Sequence, residues 1–166
     1  MKGQNILENQ IGKKLECGKF QSFLLDKTLT NKLNLLFFKF DNWLEIYTCD
    51  EQTTINELIQ IENIESFSKD NGKIFEYPIS LIESEFPEFK ELIGKRLLDF
   101  KELVWAKNEE TSCGVKLYFD NGHTLTIYEE WIKGEAEMSL KFDDTKIEEI
   151  IEKGRKPLNM EINKLT

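Results

Sequence analysis

The sequence predicts an α+β protein that is mainly antiparallel sheet, built from two tandem α-β-β-β-β repeats with pseudo-twofold symmetry and short helices on the outside. Three observations lead to this fold class. A five-residue segment recurs almost unchanged 82 residues later in the 166-residue chain. Runs of alternating apolar and polar residues flank tight-turn sequences in both halves, as is typical of half-buried antiparallel strands. Short apolar stripes at helical spacing lead up to the glycine of each recurring segment.

The internal repeat rests on three matches that occur in the same order. They are IGKKL from Ile11 with IGKRL from Ile93, FDNWLEIY at residues 40–47 with FDNGHTLTIY at 119–128, and ELIQIE at 57–62 with MSLKFD at 138–143. The matches predict a single domain over residues 1–166, with repeats at about 1–62 and 84–143 and a connecting segment at 63–83. The alternative is that two antiparallel meanders share strand patterns without a duplication.

Each repeat is expected to begin with a short helix. The first helix ends at Gly12. In the second, Ser84 is the expected cap, Pro87 suits the first turn and Gly94 supplies the left-handed stop. The apolar stripes are Ile6 and Leu7 in the first helix, and Phe86, Phe89, Leu92 and Ile93 in the second.

The second hairpin contains an Asp-Asn-Gly sequence at residues 120–122. A two-residue turn would set Leu117 opposite Thr126 and place the apolar residues of the two strands on opposite faces. A three-residue loop instead pairs Leu117 with Leu125, keeps the apolar residues on one face and puts Gly122 in the left-handed position that such loops need. We therefore predict the three-residue loop.

The first hairpin is predicted to have a two-residue turn at residues 41–42. This turn pairs Phe40 with Trp43 and Phe37 with Ile46. Both faces of the hairpin are then apolar, which predicts a central position covered on both sides.

Two further elements are expected outside the repeated strands. A turn sequence at residues 69–72 precedes a strand that Pro78 interrupts, so this strand is predicted to lie at a sheet edge. A helix is predicted over residues 145–153, with Asp143 or Asp144 as its cap.

The charge balance excludes several classes of partner. Asp and Glu number 31 against 22 Lys and Arg, giving a net charge of −9. A protein that grips nucleic-acid phosphates or an anionic membrane surface needs a basic face. The first ten residues lack the apolar stretch of a signal peptide. Together with three widely spaced cysteines (Cys17, Cys49 and Cys113), these features predict a cytoplasmic protein that binds neither nucleic acid nor membrane.

No motif of a named reaction occurs in the sequence. His123 is the one histidine, and it is either a general base oriented by Asp120 or a half-exposed residue at a strand start. Cys113 follows an acidic stretch that disfavours a thiolate, which indicates an unreactive thiol. We therefore expect no catalytic residue, no metal site and no cofactor.

The acidic residues concentrate between Glu129 and Glu152, and Trp131 lies among them. An exposed tryptophan ringed by carboxylates is typical of an anchor for a cationic protein. The alternative is that Trp131 closes the core. The candidate partner-binding residues are Glu129, Glu130, Trp131, Glu135 and Glu137.

The hairpin sequence LYFDNGHTLTIYEEW at residues 117–131 resembles a pattern in small, acidic α+β bacterial proteins. Some of these are immunity proteins of polymorphic-toxin systems. The resemblance implies a protein that binds and blocks a toxin domain without chemistry of its own. We therefore expect a protein-binding module for a basic partner. The alternatives are a small-molecule-binding module with a pocket between the two repeat sheets, and an enzyme with an unrecognised carboxylate site.

Overall fold

The computed structural model describes residues 1–61, 68–132, 134–143, 147 and 149–153. Most of them lie in antiparallel strands, and the helices are few and short, which confirms the predicted sheet-rich class. In chain order the elements are α1 (Gln4–Glu8), β1 (Cys17–Leu25), β2 (Thr28–Lys39), β3 (Trp43–Cys49), β4 (Gln52–Leu58), β5 (Ser68–Asp70), β6 (Lys73–Glu76), β7 (Ile79–Leu81), α2 (Ile82–Glu85), a 3-10 helix (Pro87–Leu92), β8 (Leu97–Trp105), β9 (Asn108–Phe119), β10 (Thr124–Ile132), β11 (Glu135–Phe142) and β12 (Ile150–Lys153).

The strands form two sheets. The first has the order β4-β3-β2-β1-β6-β5, with β7 also paired to β1, and the second has the order β11-β10-β9-β8-β12. Each sheet therefore contains a four-stranded meander, β1 to β4 or β8 to β11, in which strands that follow one another in sequence pair with each other.

The main core fills the space between the two sheets. Alternation along β2 and β3 turns Leu36, Phe38, Leu44 and Ile46 inward, where each is completely buried. Their counterparts from the second sheet include Leu117, Leu125 and Ile127, in the same apolar cluster. Burial of each such side chain contributes about 2 kcal/mol, so the inward faces supply most of the stabilisation of the sandwich.

The two recurring segments pair with each other in antiparallel fashion. Their backbone hydrogen bonds are Gly12 N–H to Leu97 C=O (2.7 Å), Gly94 N–H to Leu15 C=O (2.7 Å), Leu15 N–H to Lys95 C=O (2.9 Å) and Leu97 N–H to Lys13 C=O (3.0 Å). Lys14 and Arg96 form the bridge at the centre of this pairing. We call residues 12–15 and 94–97 the clasp, because they join the start of one meander to the start of the other.

The two meanders also share their strand register. Gly18 lies opposite Phe38 and Phe20 opposite Leu36, while Phe100 lies opposite Leu117 and Glu102 opposite Val115. Each residue of β1 thus corresponds to the residue of β8 that lies 82 positions later, and each residue of β2 corresponds to the residue of β9 that lies 79 positions later. These offsets equal those between the recurring segments and between Phe40 and Phe119.

The last strands match at a different offset from the one expected. Ile46 lies opposite Ile55, and Ile127 lies opposite Leu140, so Ile55 corresponds to Leu140 at an offset of 85. The expected alignment of residues 57–62 with 138–143 is therefore wrong by four positions. The reason is that the β10–β11 hairpin extends two residues further on each strand than the β3–β4 hairpin.

The predicted three-residue loop of the second hairpin is confirmed. Leu117 lies opposite Leu125 and Val115 opposite Ile127. The Phe119 N–H donates to the His123 carbonyl at 3.0 Å, and Gly122 has a φ of 85°.

The predicted two-residue turn of the first hairpin is wrong. Lys39 lies opposite Trp43 and Phe38 opposite Leu44, which makes residues 40–42 a three-residue loop. A two-residue hairpin turn needs positive φ at its central positions, and neither residue 41 nor residue 42 has it. The inner face is covered by the second sheet. On the outer face Phe37 is 4% exposed, and its neighbour Leu35 is half-buried and lines a groove.

The helix predicted over residues 145–153 is wrong where the structure describes it. Residues 150–153 form β12, whose residue Ile150 lies opposite Trp105 of β8. The open edge of β8 offers a row of backbone hydrogen-bonding groups that this segment satisfies by pairing as a strand. Asp143 accepts a hydrogen bond from the Thr124 N–H instead of capping a helix. Residues 144–146 and 148 lie outside the described residues.

The other local predictions concern the turn and strand around Pro78 and the start of the second helical segment. Asn71 and Gly72 both have positive φ and turn β5 into β6, and the chain on either side of Pro78 pairs with β1 as β6 and β7. Pro87 begins the 3-10 helix as expected. Ser84 is not a cap, because it lies inside α2 and its hydroxyl donates to the Leu81 carbonyl.

Gly122→Val should destabilise the fold by at least about 1 kcal/mol, because a β-branched residue resists a φ of 85°. The measurement is the free energy of unfolding in urea. Gly122→Asn is the matched control and should cost clearly less, since asparagine tolerates the left-handed region. Equal losses for the two variants would contradict a conformational cause.

Candidate functional site

The acidic candidate residues lie on the ribbon formed by β10 and β11. Successive strand residues point to opposite faces, so Glu129 and Trp131 share the face of the core, whereas Glu130, Glu135 and Glu137 lie on the opposite face. Trp131 is therefore not ringed by these three carboxylates, as the sequence suggested.

Glu129 is not part of the exposed acidic surface, because only 1% of it is accessible to solvent. Burial raises the pKa of its carboxyl group. The Glu51 backbone N–H lowers that pKa, whereas the negative charges of Asp50 and Glu51 raise it further. The second carboxylate oxygen, Oε2, has no hydrogen-bond partner among the described residues.

Glu129 lies against the turn between β3 and β4. Asp50 and Glu51 both have positive φ, 49° and 61°, in a turn that normally favours asparagine and glycine. The Glu51 backbone lies close enough to the Glu129 carboxylate to oppose the rise of its pKa. Glu129 therefore lies beside the turn that carries Glu51.

The other three carboxylates remain at least partly accessible. Glu130 is half-buried and accepts a hydrogen bond from the Ser139 hydroxyl at 2.9 Å. Glu137 lies opposite Glu130, and the exposed Glu135 lies opposite Ile132 near the tip of the ribbon.

Trp131 does not close the core, because 61% of it is exposed. It lines a cleft of about 270 Å³ together with Trp105, at the end of β8. The cleft lies where the β3–β4 turn of the first sheet reaches the second sheet. Its other lining residues include Glu51, Lys107, Asn108 and Glu149. We call this site the Trp cleft.

The charges around the Trp cleft are mixed but mainly acidic. Lys107 pairs with Glu149 at 3.2 Å, whereas Glu51 enters the cleft from the first sheet. An aromatic face beside a carboxylate attracts a cation, because the ring quadrupole and the negative charge act in the same direction. The arrangement fits a lysine or arginine side chain.

Sequence reasoning found Trp131 but missed Trp105 and Glu51. Trp105 lies 26 positions before Trp131, and Glu51 belongs to the other half of the chain. The structure joins them through β9, which pairs with both β8 and β10, and through the packing of the β3–β4 turn on that sheet. A local motif carries no signal of such an arrangement.

His123 is not oriented by Asp120. Its Nδ1 lies 2.7 Å from the Oδ2 atom of Asp143. Asp120 instead accepts a hydrogen bond from the N–H of Arg96, a residue of the clasp. His123 and Asp143 both lie at the start of β10, because Asp143 also accepts a hydrogen bond from the Thr124 N–H.

The three cysteines are free thiols. Burial raises the pKa of Cys113 to about 12, with Glu129 and Glu102 adding to the shift against an opposing backbone hydrogen bond. Burial also raises the pKa values of Cys17 and Cys49. A thiol with a raised pKa is a poor nucleophile, because the thiolate is the reactive form.

Within the described residues, no group of three or more His, Cys, Asp or Glu side chains could hold a metal ion. The part of the chain that the structure describes also has no helix long and apolar enough to cross a membrane. The main apolar cluster includes side chains from the inward faces of both sheets.

Comparisons of the chain with family models, with curated proteins and with solved structures found no match.

Replacement of Glu129 by Gln should stabilise the protein by about 1 kcal/mol at pH 7, because it removes a buried and incompletely hydrogen-bonded charge. The raised pKa means that the folded state binds this proton more tightly than the unfolded state does. The gain should therefore shrink as the pH falls toward the ordinary value of 4.5, where both states become protonated.

The free energy of unfolding measured between pH 4 and pH 8 tests this linkage. Glu135→Gln is the matched control and should change stability little at any pH, because Glu135 is exposed. A Glu129→Gln variant that is less stable than the wild type at pH 7 would show that the charge itself holds the turn.

Proposed function

We propose that the protein is a protein-binding module that anchors a basic partner at the Trp cleft, most concretely an immunity protein that neutralises a basic toxin or effector in the cytoplasm. The observation that carries this proposal is Trp131, which is 61% exposed and lines the same cleft as Glu51. Tryptophan is enriched among the residues that dominate binding energy at protein interfaces.

The chemistry of the Trp cleft supports a cationic anchor. A lysine or arginine side chain entering the cleft would lie against an indole face and near Glu51, and it would bury apolar surface that is now in contact with water. Lys107 already pairs with Glu149, so Glu51 is the carboxylate proposed to meet the incoming charge.

The charge of the whole chain supports attraction from a distance. A net charge of −9 draws a basic partner toward the surface and raises the rate of association. Glu130, Glu135 and Glu137 lie on the other face of the same ribbon, so we assign them to this long-range attraction and not to direct contact with the anchor.

The tandem α-β-β-β-β repeat with pseudo-twofold symmetry is part of the proposal. It is supported by the clasp, in which each hydrogen bond has a counterpart 82 positions along the chain, and by the shared register of the two meanders. The Trp cleft then follows from the longer β10–β11 hairpin, which carries Trp131 beyond the region where the two halves correspond.

Trp131→Ala should raise the dissociation rate of the partner by roughly 30-fold, equivalent to about 2 kcal/mol, and should leave the association rate nearly unchanged. The partner is first captured from native cytoplasm and identified by mass spectrometry, and the rates are then measured by surface-binding kinetics at two salt concentrations. Thermal unfolding checks that the variant remains folded.

Two matched variants make the result interpretable. Leu98→Ala removes another exposed apolar side chain (54% exposed) that does not line the cleft, and it should change neither rate. The triple variant Glu130→Gln, Glu135→Gln, Glu137→Gln should slow association several-fold at low salt without altering dissociation. The proposal is contradicted if Trp131→Ala leaves dissociation unchanged, or if the captured partner is itself acidic.

A further inference from the structure

The outer face of the first sheet carries a second apolar surface. Leu35 and Phe37 of β2 point away from the core, next to Ile79 of β7, and line a groove of about 610 Å³. Phe37 is 4% exposed, so the accessible apolar floor consists of the half-buried Leu35 and Ile79. Leu58 and Ile59, at and beyond the end of β4, form one wall. Ile59 is 96% exposed, which is an unfavourable position for a large apolar side chain unless another surface covers it.

The charges of the groove define what fits it. The charged residues among those lining it are Glu45 and Glu57, and both are acidic. Each carboxylate accepts a hydrogen bond from an asparagine, Glu45 from Asn56 at 2.9 Å and Glu57 from Asn42 at 2.5 Å. The asparagine amides orient the carboxylates without neutralising them, so the groove keeps its negative charge.

A nearby cation is already engaged. Lys19 lies opposite Phe37 on the neighbouring strand, and its ammonium group lies 5.4 Å from the centroid of the Trp43 ring. The sheet itself therefore shows a cation held on an aromatic face beside the groove. Within the described residues, Glu45 and Glu57 accept hydrogen bonds from neutral amides only.

We infer that this groove binds an apolar segment of another protein that carries a lysine or arginine. The apolar floor takes the aliphatic side chains, and Glu45 and Glu57 take the positive charge. A second copy of this chain is disfavoured as the occupant, because two copies with a net charge of −9 each would bring carboxylates together. The groove is separate from the Trp cleft, so this inference does not depend on the proposed function.

The test uses a defined probe, a capped six-residue peptide of alternating leucine and lysine, and a control peptide of alternating leucine and glutamate. Each is titrated into the protein labelled with ¹³C at its methyl groups. The leucine–lysine peptide should shift the methyl resonances of Leu35, Ile59 and Ile79 in a saturable manner. The leucine–glutamate peptide should leave them unchanged.

Matched variants separate groove binding from general attraction to an acidic protein. Ile59→Ser should weaken binding about 5-fold, because it removes one apolar contact from a side chain that the fold leaves exposed. Leu98→Ser, on the other sheet, should not weaken it. The double variant Glu45→Gln, Glu57→Gln should weaken binding about 3-fold, whereas Glu88→Gln, Glu91→Gln should have no effect.

Four outcomes would overturn the inference. The first is that neither peptide shifts the groove methyl groups up to its solubility limit. The second is that both peptides shift them equally, which would exclude the charge selection. The third is that the groove resonances of the free protein move on dilution, which would identify a second copy as the occupant. Binding of the peptide at the Trp cleft alone would likewise contradict the groove while leaving the proposed function intact.

Discussion

Four backbone hydrogen bonds in the clasp join the two sheets at the point where each meander begins. At about 1 kcal/mol each, they contribute about 4 kcal/mol, a large share of the 5–15 kcal/mol by which a domain of this size is stable. They also fix the direction in which β1 and β8 leave the clasp. The inward faces of the two sheets meet only if these directions are right, so the core and the Trp cleft both depend on this pairing.

The Trp cleft shows how an unusual local feature follows from that arrangement. The sandwich brings the β3–β4 turn against β10, where the Glu51 backbone lies near the Glu129 carboxylate. A buried carboxylate is costly, and here it lies against a turn whose two central residues both have positive φ. The same turn brings Glu51 into the lining of the cleft that Trp131 also lines.

Sequence patterns predicted those elements that local physics decides. The second hairpin could be placed in register because only a three-residue loop keeps Leu117 and Leu125 on one face. The first hairpin could not, because apolar residues on both of its faces fit either register. The sequence predicted a helix for residues 150–153, because the edge of β8 with which they pair as a strand lies far away in sequence. Trp131 was recognised from its acidic neighbours, whereas Glu129 was misplaced because acidic residues are rarely buried.

Amide hydrogen exchange tests directly whether the clasp unites the two meanders into one cooperative unit. The N–H groups of Gly12, Leu15, Gly94 and Leu97 should exchange as slowly as those of the buried strands β2 and β9, through global unfolding. Exchange of these four amides at rates far above those of both strands would show that the clasp opens on its own, and would contradict the dependence of the two sheets on it.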